Sequence, residues 1–458
     1  MQKRSRTLGF FVIAAALATT LATGPAGATG ELRLIQVNRS LTGIHEWYVQ
    51  TYQGFPVLGS FYGRHLDLDG RVEAVDDGRL ALSGRLAPRR LTAALAERVA
   101  GTGAVRSDLM VLPGRARLVW AVISADGNRA LVDAATGAVV RRDREAVDVN
   151  GTGQVFDPNA VVTLQNQSLT DQNDANYTAI QSAYRTRTLT NLDGSGFLRG
   201  PFVDVTGINV QGQGDRAFSA TNQFIYDRSN ARFEEVEAYF SINAAQTYIQ
   251  SLGFTNINNE PQDVSANTFA DDNSFYSPGG DRITLGRGGV DDGEDADVIW
   301  HEYGHAIQDA QVPGFGITPD AGAIGEGFGD YWAVTMSIPV NGGYQLPCVA
   351  DWDSTSYDPS APHCLRRTDS NLTVLMRIFE VHWDGQIWSR ALWDIHRNLG
   401  RTVADRIILE AQFSYSPATT FNQAASRTIA TARLLYGNAA ANVVRNAFRA
   451  RLIIPLNV

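Results

Sequence analysis

His301-Glu302-Tyr303-Gly304-His305, followed downstream by Ala323-Ile324-Gly325-Glu326-Gly327-Phe328-Gly329-Asp330, decides how this 458-residue chain is read. On a helix, residues four apart stand one above the other, so His301 and His305 can hold one ion together. Glu302 projects beside that ion, where a carboxylate can take a proton from an attacking water. Glu326 on a second helix would be a third ligand, leaving one zinc position open, as a catalytic site requires. Asp330, one turn beyond Glu326, can accept the free ring N–H of a liganding histidine. The apolar positions Ile299, Tyr303, Ile307 and Ala310 recur at helical spacing and predict a core-facing side next to the histidines. A bare His-Glu-x-x-His arises by chance, but the chain has only seven histidines and two fall here around a glutamate. A purely structural zinc is disfavoured, because such sites are closed by four protein ligands, often cysteines.

Length predicts two or three domains, and an apolar content of 44% supports sizeable cores. A formal charge of −9 argues against nucleic acid or an anionic membrane surface as partner. Residues 1–29 read as a secretory signal: Lys3, Arg4 and Arg6 precede the apolar run Leu8–Leu21, and Ala26-Gly27-Ala28 is a small-residue cleavage site. That run is too short for a membrane span, and no later segment is long and apolar enough. A secreted, extracellular protein is expected, and a monomer. The two cysteines, Cys348 and Cys364, enclose a loop rich in Asp, Ser and Pro. In an exported protein a disulfide is expected there, with two free thiols as the alternative.

Residues 30–145 read as a small α+β domain. Strands are predicted around Tyr48-Val49-Gln50-Thr51 and Pro56-Val57-Leu58, with a hairpin at Asp69-Gly70 and a helix from Leu91 to Ala100 stopped by Gly101. A meander follows from Leu118 through turns at Asp126-Gly127 and Thr136-Gly137 to Val140. Arg141-Arg142-Asp143-Arg144 opens a polar stretch ending at Asn150-Gly151, read as an exposed linker and cleavage zone. Residues 151–458 form the domain that carries the chemistry. Strands and turns are predicted to about Ser229, then a helix from Phe233 to Leu252, a short strand at Arg282–Gly286, and helices at Val403–Glu410, Asn422–Tyr436 and Ala439–Arg451. Asp291, Asp292, Glu294 and Asp295 gather at the start of the histidine helix. Interaction with its N-terminus is expected, with a calcium site as the alternative.

Tyr52-Gln53-Gly54-Phe55-Pro56-Val57 with the Asp69-Gly70-Arg71-Val72 hairpin resembles the propeptide module of fungalysin-type and thermolysin-type proteases, and Trp120–Val140 resembles the PepSY-type unit that follows it. Gly322–Glu326 resembles the thermolysin segment with the third zinc ligand, while Gly327-Phe328-Gly329 lie nearer the fungalysin pattern. Val381-His382, with Gly385 and a helix carrying Trp388, Ala391, Leu392 and Trp393, is similar to the segment of the transition-state histidine. The resemblance implies an α+β protein: a small α+β prodomain, then a catalytic domain with a mixed β N-terminal lobe, a mainly α-helical C-terminal lobe and a zinc cleft between. It implies a latent precursor (a zymogen) of a zinc endopeptidase acting on proteins or peptides, with its own propeptide as intramolecular inhibitor. His301, His305 and Glu326 would hold zinc, Glu302 would be the general base and His382 would meet the oxyanion. Asn273 and Ser274 match substrate-backbone positions, and Arg366 or Arg367 would steady a carbonyl or substrate group, with nothing in spacing to select between them. Two other classes stay open: an exported binding or adhesion protein that keeps the zinc site for structure, and a metallohydrolase with a non-peptide substrate.

Overall fold

The computed structural model describes residues 30–455 apart from 40–42, 102–103, 125–127, 145–148, 207–215 and 269. The signal reading of residues 1–29 and the Asp126-Gly127 turn lie outside the described residues. The chain divides into two compact units, Met1–Asp143 and Arg144–Val458.

In the N-terminal unit, Glu31–Arg39, Gly43–Tyr52, Phe61–Asp67 and Val72–Gly78 form an antiparallel sheet, with Phe55–Pro56 paired onto Gly43–Tyr52. Gly70 makes its hairpin: at φ +83° it takes a backbone conformation that costs other residues, and its N–H reaches the Asp67 carbonyl at 3.0 Å. A second sheet runs in the order Val139–Arg144, Asn128–Asp133, Arg117–Ser124, Ala104–Leu112. The Ala93–Ala100 helix starts where the Thr92 side chain accepts from Leu95 N–H. Val57, Ala96, Val111, Trp120 and Val132 form the core. Arg141–Arg144, read as linker, belong to the end strand of the second sheet, and Val149–Phe156 is the next strand. Only 145–148, outside the described residues, separate them.

The C-terminal unit is β-rich first and helical afterwards. One sheet has the order Tyr184–Leu192, Val149–Phe156, Gln223–Phe224; the other runs Val203–Val205, Gln262–Ser265, Arg282–Thr284, Phe275–Ser277. The short strand expected at Arg282–Gly286 spans Arg282–Thr284 and is paired on both sides. Phe275–Ser277, which pairs antiparallel with it, is one of the two end strands of this sheet. Beyond the buried Arg232–Ser251 helix come Ala296–Gln311, Pro319–Asn341, Val381–Leu399, Arg401–Gln412 and Phe421–Ala450. Gly437, at φ 79° and ψ −176°, interrupts the last of these between the two helices expected there. Cys348 and Cys364 are joined, with Cα atoms 5.4 Å apart. The same loop is tied by the two-residue ladder Cys348↔Arg367, Val349↔Arg366.

Candidate active site

The Ala296–Gln311 helix begins at Asp295, whose carboxylate accepts from Asp297 N–H at 3.0 Å. It also accepts from Trp352 and Asp353 N–H and from Asn159, which ties the disulfide loop to the helix start. Of the four clustered acids only Asp295 caps the helix. Glu294 forms a buried ion pair with Arg228 at 2.9 Å, and Asp292 turns toward Ser274. Ile299, Tyr303 and Ile307 are fully buried as the periodicity predicts, but the stripe ends there, since Ala310 is exposed.

The Pro319–Asn341 helix, opened by Thr318 and closed by Gly342 in the left-handed conformation, lies against the first. Glycine makes the approach close. A Cβ on Gly304 would meet Gly329 Cα at 2.9 Å, and one on Gly327 would meet the Gly385 carbonyl oxygen at 2.3 Å. The glycine run that weakens this helix by propensity is the surface on which three helices meet.

At that meeting the structure brings His301, His305 and Glu326 together, each offering a ligand atom within 4.8 Å of the others. Glu326 Oε2 lies 3.3 Å from His301 Nε2, and Oε1 lies 3.5 Å from His305 Nε2. Oε2 is buried, yet it makes no well-directed hydrogen bond. Two imidazole nitrogens and a carboxylate in one small space are the donor set that suits zinc with a position left open, so the residues fit that ion. Behind His301, Asp330 Oδ1 stands 2.9 Å from Nδ1, so Nε2 is the nitrogen presented to the centre. Burial opposes the cationic form of His301, but Asp330 and Glu326 outweigh it and raise the imidazole to about 10. Burial would likewise raise Asp330, yet the Arg366 guanidinium and His301 hold it at about 2. Arg366 grips Asp330 in a fork, Nη2 to Oδ1 at 2.7 Å and Nε to Oδ2 at 2.8 Å.

Glu302 is 7% exposed and faces two cavities of about 420 Å³ each, which share Asn273, Ser274, His301, Glu302 and His382 in their walls. One includes the Phe275 and Tyr276 edge strand, and the other includes Arg366. His382 opens the Val381–Leu399 helix with 54% of its side chain exposed, so it is no buried core histidine. Its Nε2 lies 3.4 Å from Glu326 Oε2, and its Nδ1 lies 2.6 Å from Glu380 Oε1. Glu380 also caps the helix, accepting from His382 and Trp383 N–H. Arg367 does not join this group: it points away to Asp369 at 2.8 Å. The reason is strand alternation, since neighbours on the short ladder face opposite sides.

Three participants escaped the sequence. Glu380 carried a legible signal, a carboxylate at the cap position ahead of an apolar helix. Asp272 and Asp353 carried none, because they reach the cleft from separate loops and join Asp292 there, with oxygens within 4.8 Å of one another.

Residues 359–453 match the family described as thermolysin metallopeptidase, alpha-helical domain, and residues 30–77 match the fungalysin/thermolysin propeptide motif. The first match contains His382, and neither contains His301, His305 or Glu326. Among solved structures, the precursor of protealysin, a metalloproteinase from Serratia proteamaculans, is similar at 16% identity. The alignment covers 55% of this chain and 86% of that one with a TM-score of 0.43. No curated protein matches the chain.

Proposed function

We propose that this chain, a thermolysin-family metallopeptidase made with a propeptide, is a secreted endopeptidase with one catalytic zinc held by His301, His305 and Glu326. The observation that carries the reading is the convergence of those three side chains from two helices, with Asp330 behind His301 and Glu302 facing the cleft. Zinc supplies Lewis acidity at that point, polarising a carbonyl and acidifying water. Glu302 takes the proton of the attacking water and hands it to the departing amine. His382 donates from Nε2 to the oxygen on which charge develops, while Glu380 holds the opposite ring nitrogen and so fixes the ring. Asn273 and Ser274, just ahead of the end strand Phe275–Ser277 and in the wall of the cleft, bind the substrate backbone. Arg366 acts through Asp330 on the orientation of His301.

Export is supported by the basic and apolar start of the chain and by the Cys348–Cys364 bond, which oxidising compartments favour. No helix of the described residues is long and apolar enough to cross a membrane. The propeptide keeps the enzyme latent until the chain is cut. The test is degradation of casein by the processed protein, abolished by a chelator and restored by zinc. Zinc binding without hydrolysis of any protein substrate would overturn the reading.

A further inference from the structure

The cavity on the Arg366 side of Glu302 ends in acid. Its walls include Val298, Val349 and Leu365, and the carboxylates of Asp272, Asp292 and Asp353 converge in it. Asp292 and Asp353 are 3% and 5% exposed, and each keeps one oxygen, Oδ1, buried without any hydrogen-bond partner. Their other oxygens are taken, Asp292 Oδ2 by the Ser274 hydroxyl and Asp353 Oδ2 by the Tyr357 hydroxyl at 2.7 Å. The Arg366 guanidinium in the same wall is already engaged by Asp330. The two orphaned oxygens therefore await a cation from outside the chain, since a buried carboxylate oxygen left unpaired is costly.

We propose that this cavity is a specificity pocket for an arginine or lysine side chain next to the bond being cut, with Asp292 and Asp353 receiving its charge and Asp272 flanking it. The proposal rests on the endopeptidase reading. Apolar walls suit the aliphatic stem of such a side chain, and the acidic end suits its head. Position follows from the shared wall: His301 and Glu302 border this cavity, so its occupant belongs to a residue beside the reacting carbonyl. An apolar side chain would fill the same space and leave both oxygens unpaired, so it is rejected. Burial, aided by Asp272, pushes Asp292 up to about 7, which a neighbouring cation would reverse. A calcium ion could meet the same three oxygens, but it takes six to eight, and this cavity opens to the cleft.

The test maps cleavage by the full-length protein, expressed and left to process, on a peptide mixture varied at every position and read by mass spectrometry. Cleavage beside arginine or lysine is expected, with kcat/KM favouring arginine over leucine at that position by at least about tenfold. In Asp292→Asn/Asp353→Asn that ratio should fall towards one with zinc content unchanged. Cutting without cationic preference in the unaltered protein overturns the pocket and leaves the endopeptidase reading standing. Absence of any cutting removes both. Preference retained in the double variant also overturns the assignment. So does one tightly bound calcium per chain that the double variant loses, which would make the site a metal site. The unaltered protein decides the matter even where the double variant does not fold.

Discussion

A Cβ placed on Gly329 would stand 2.8 Å from Nδ1 of His301, the nitrogen that faces Asp330. The second helix thus gives up side-chain volume where the first one carries its histidine. Gly329→Ala should push the His301 ring from its alignment. Overpacking of this kind costs about 1–3 kcal/mol, and losing the partner that orients a ligand costs about 10–100-fold in metal affinity. A lower Tm and a weaker zinc Kd are expected together, by calorimetry and zinc-buffered titration. Unchanged zinc affinity would show that the close approach has no part in orienting the ring.

Glu302→Gln separates base from ligand. The amide nearly matches the carboxylate in shape, and Glu302 is not among the three converging donors. Zinc stoichiometry should stay near that of the unaltered protein while proteolysis falls by several orders of magnitude, as for groups that act as a unit. Loss of zinc along with activity would make Glu302 structural instead.

His382→Ala should leave zinc content and Tm almost unmoved, because the side chain is half exposed and packs in no core. The turnover number should fall about 10²–10³-fold, the usual loss for one oxyanion donor. KM should change far less, since the contact strengthens only as charge develops. A loss confined to KM would place His382 in substrate binding rather than at the oxyanion.

How far the site was legible follows from what each residue depends on. His301, Glu302 and His305 share one helix, so spacing alone places them together, and Glu326 and Asp330 follow on a second helix by the same rule. The glycines at 327 and 329 are poor helix formers, and the partners that require them became visible only once the helices were packed. Arg366 and Arg367 could not be separated, because the choice turns on the register Val349↔Arg366, set by pairing across the disulfide loop. The strand Phe275–Ser277 escaped the sequence for a related reason. Phe275–Ser277 and Arg282–Thr284 are both three-residue strands, and periodicity cannot say which pairs with a third. Asp272 and Asp353 lie furthest from any local rule, since only tertiary structure brings their loops to Asp292.

Buried carboxylates give the stability a pH dependence whose sign can be worked out. Desolvation, with Asp174 and Glu294 near one and Asp295 near the other, pushes Asp291 and Asp351 up to about 8. In the unfolded chain both titrate near 4. Between those values the folded protein holds protons that the unfolded chain has lost, so stability falls as pH rises and the loss is complete above about 8. At saturating zinc, the urea midpoint should be lower at pH 8.5 than at pH 6. Asp351→Asn should flatten that slope. A midpoint that rises over this interval would mean that both groups stay ionised in the fold.

Latency is expected from the order of the parts. A propeptide motif at 30–77 lies in a compact unit ending at Asp143, and the candidate site lies wholly in the second unit. A protease exported by its own cell has reason to fold inactive, and a segment that occupies the cleft excludes substrate without altering the metal ligands. The uncut 30–458 precursor should therefore bind zinc and yet cleave casein poorly. The cut is expected in the 141–151 stretch, whose polar, arginine-bearing sequence reads as the linker between the two units. A cleavage sequence inserted at 145–148 should release activity when the matching protease is added. Separately added 30–143 should then inhibit the processed enzyme competitively, raising KM and leaving kcat unchanged. Full activity in an uncut precursor would sink the latency argument and make the first unit a substrate-binding or anchoring module.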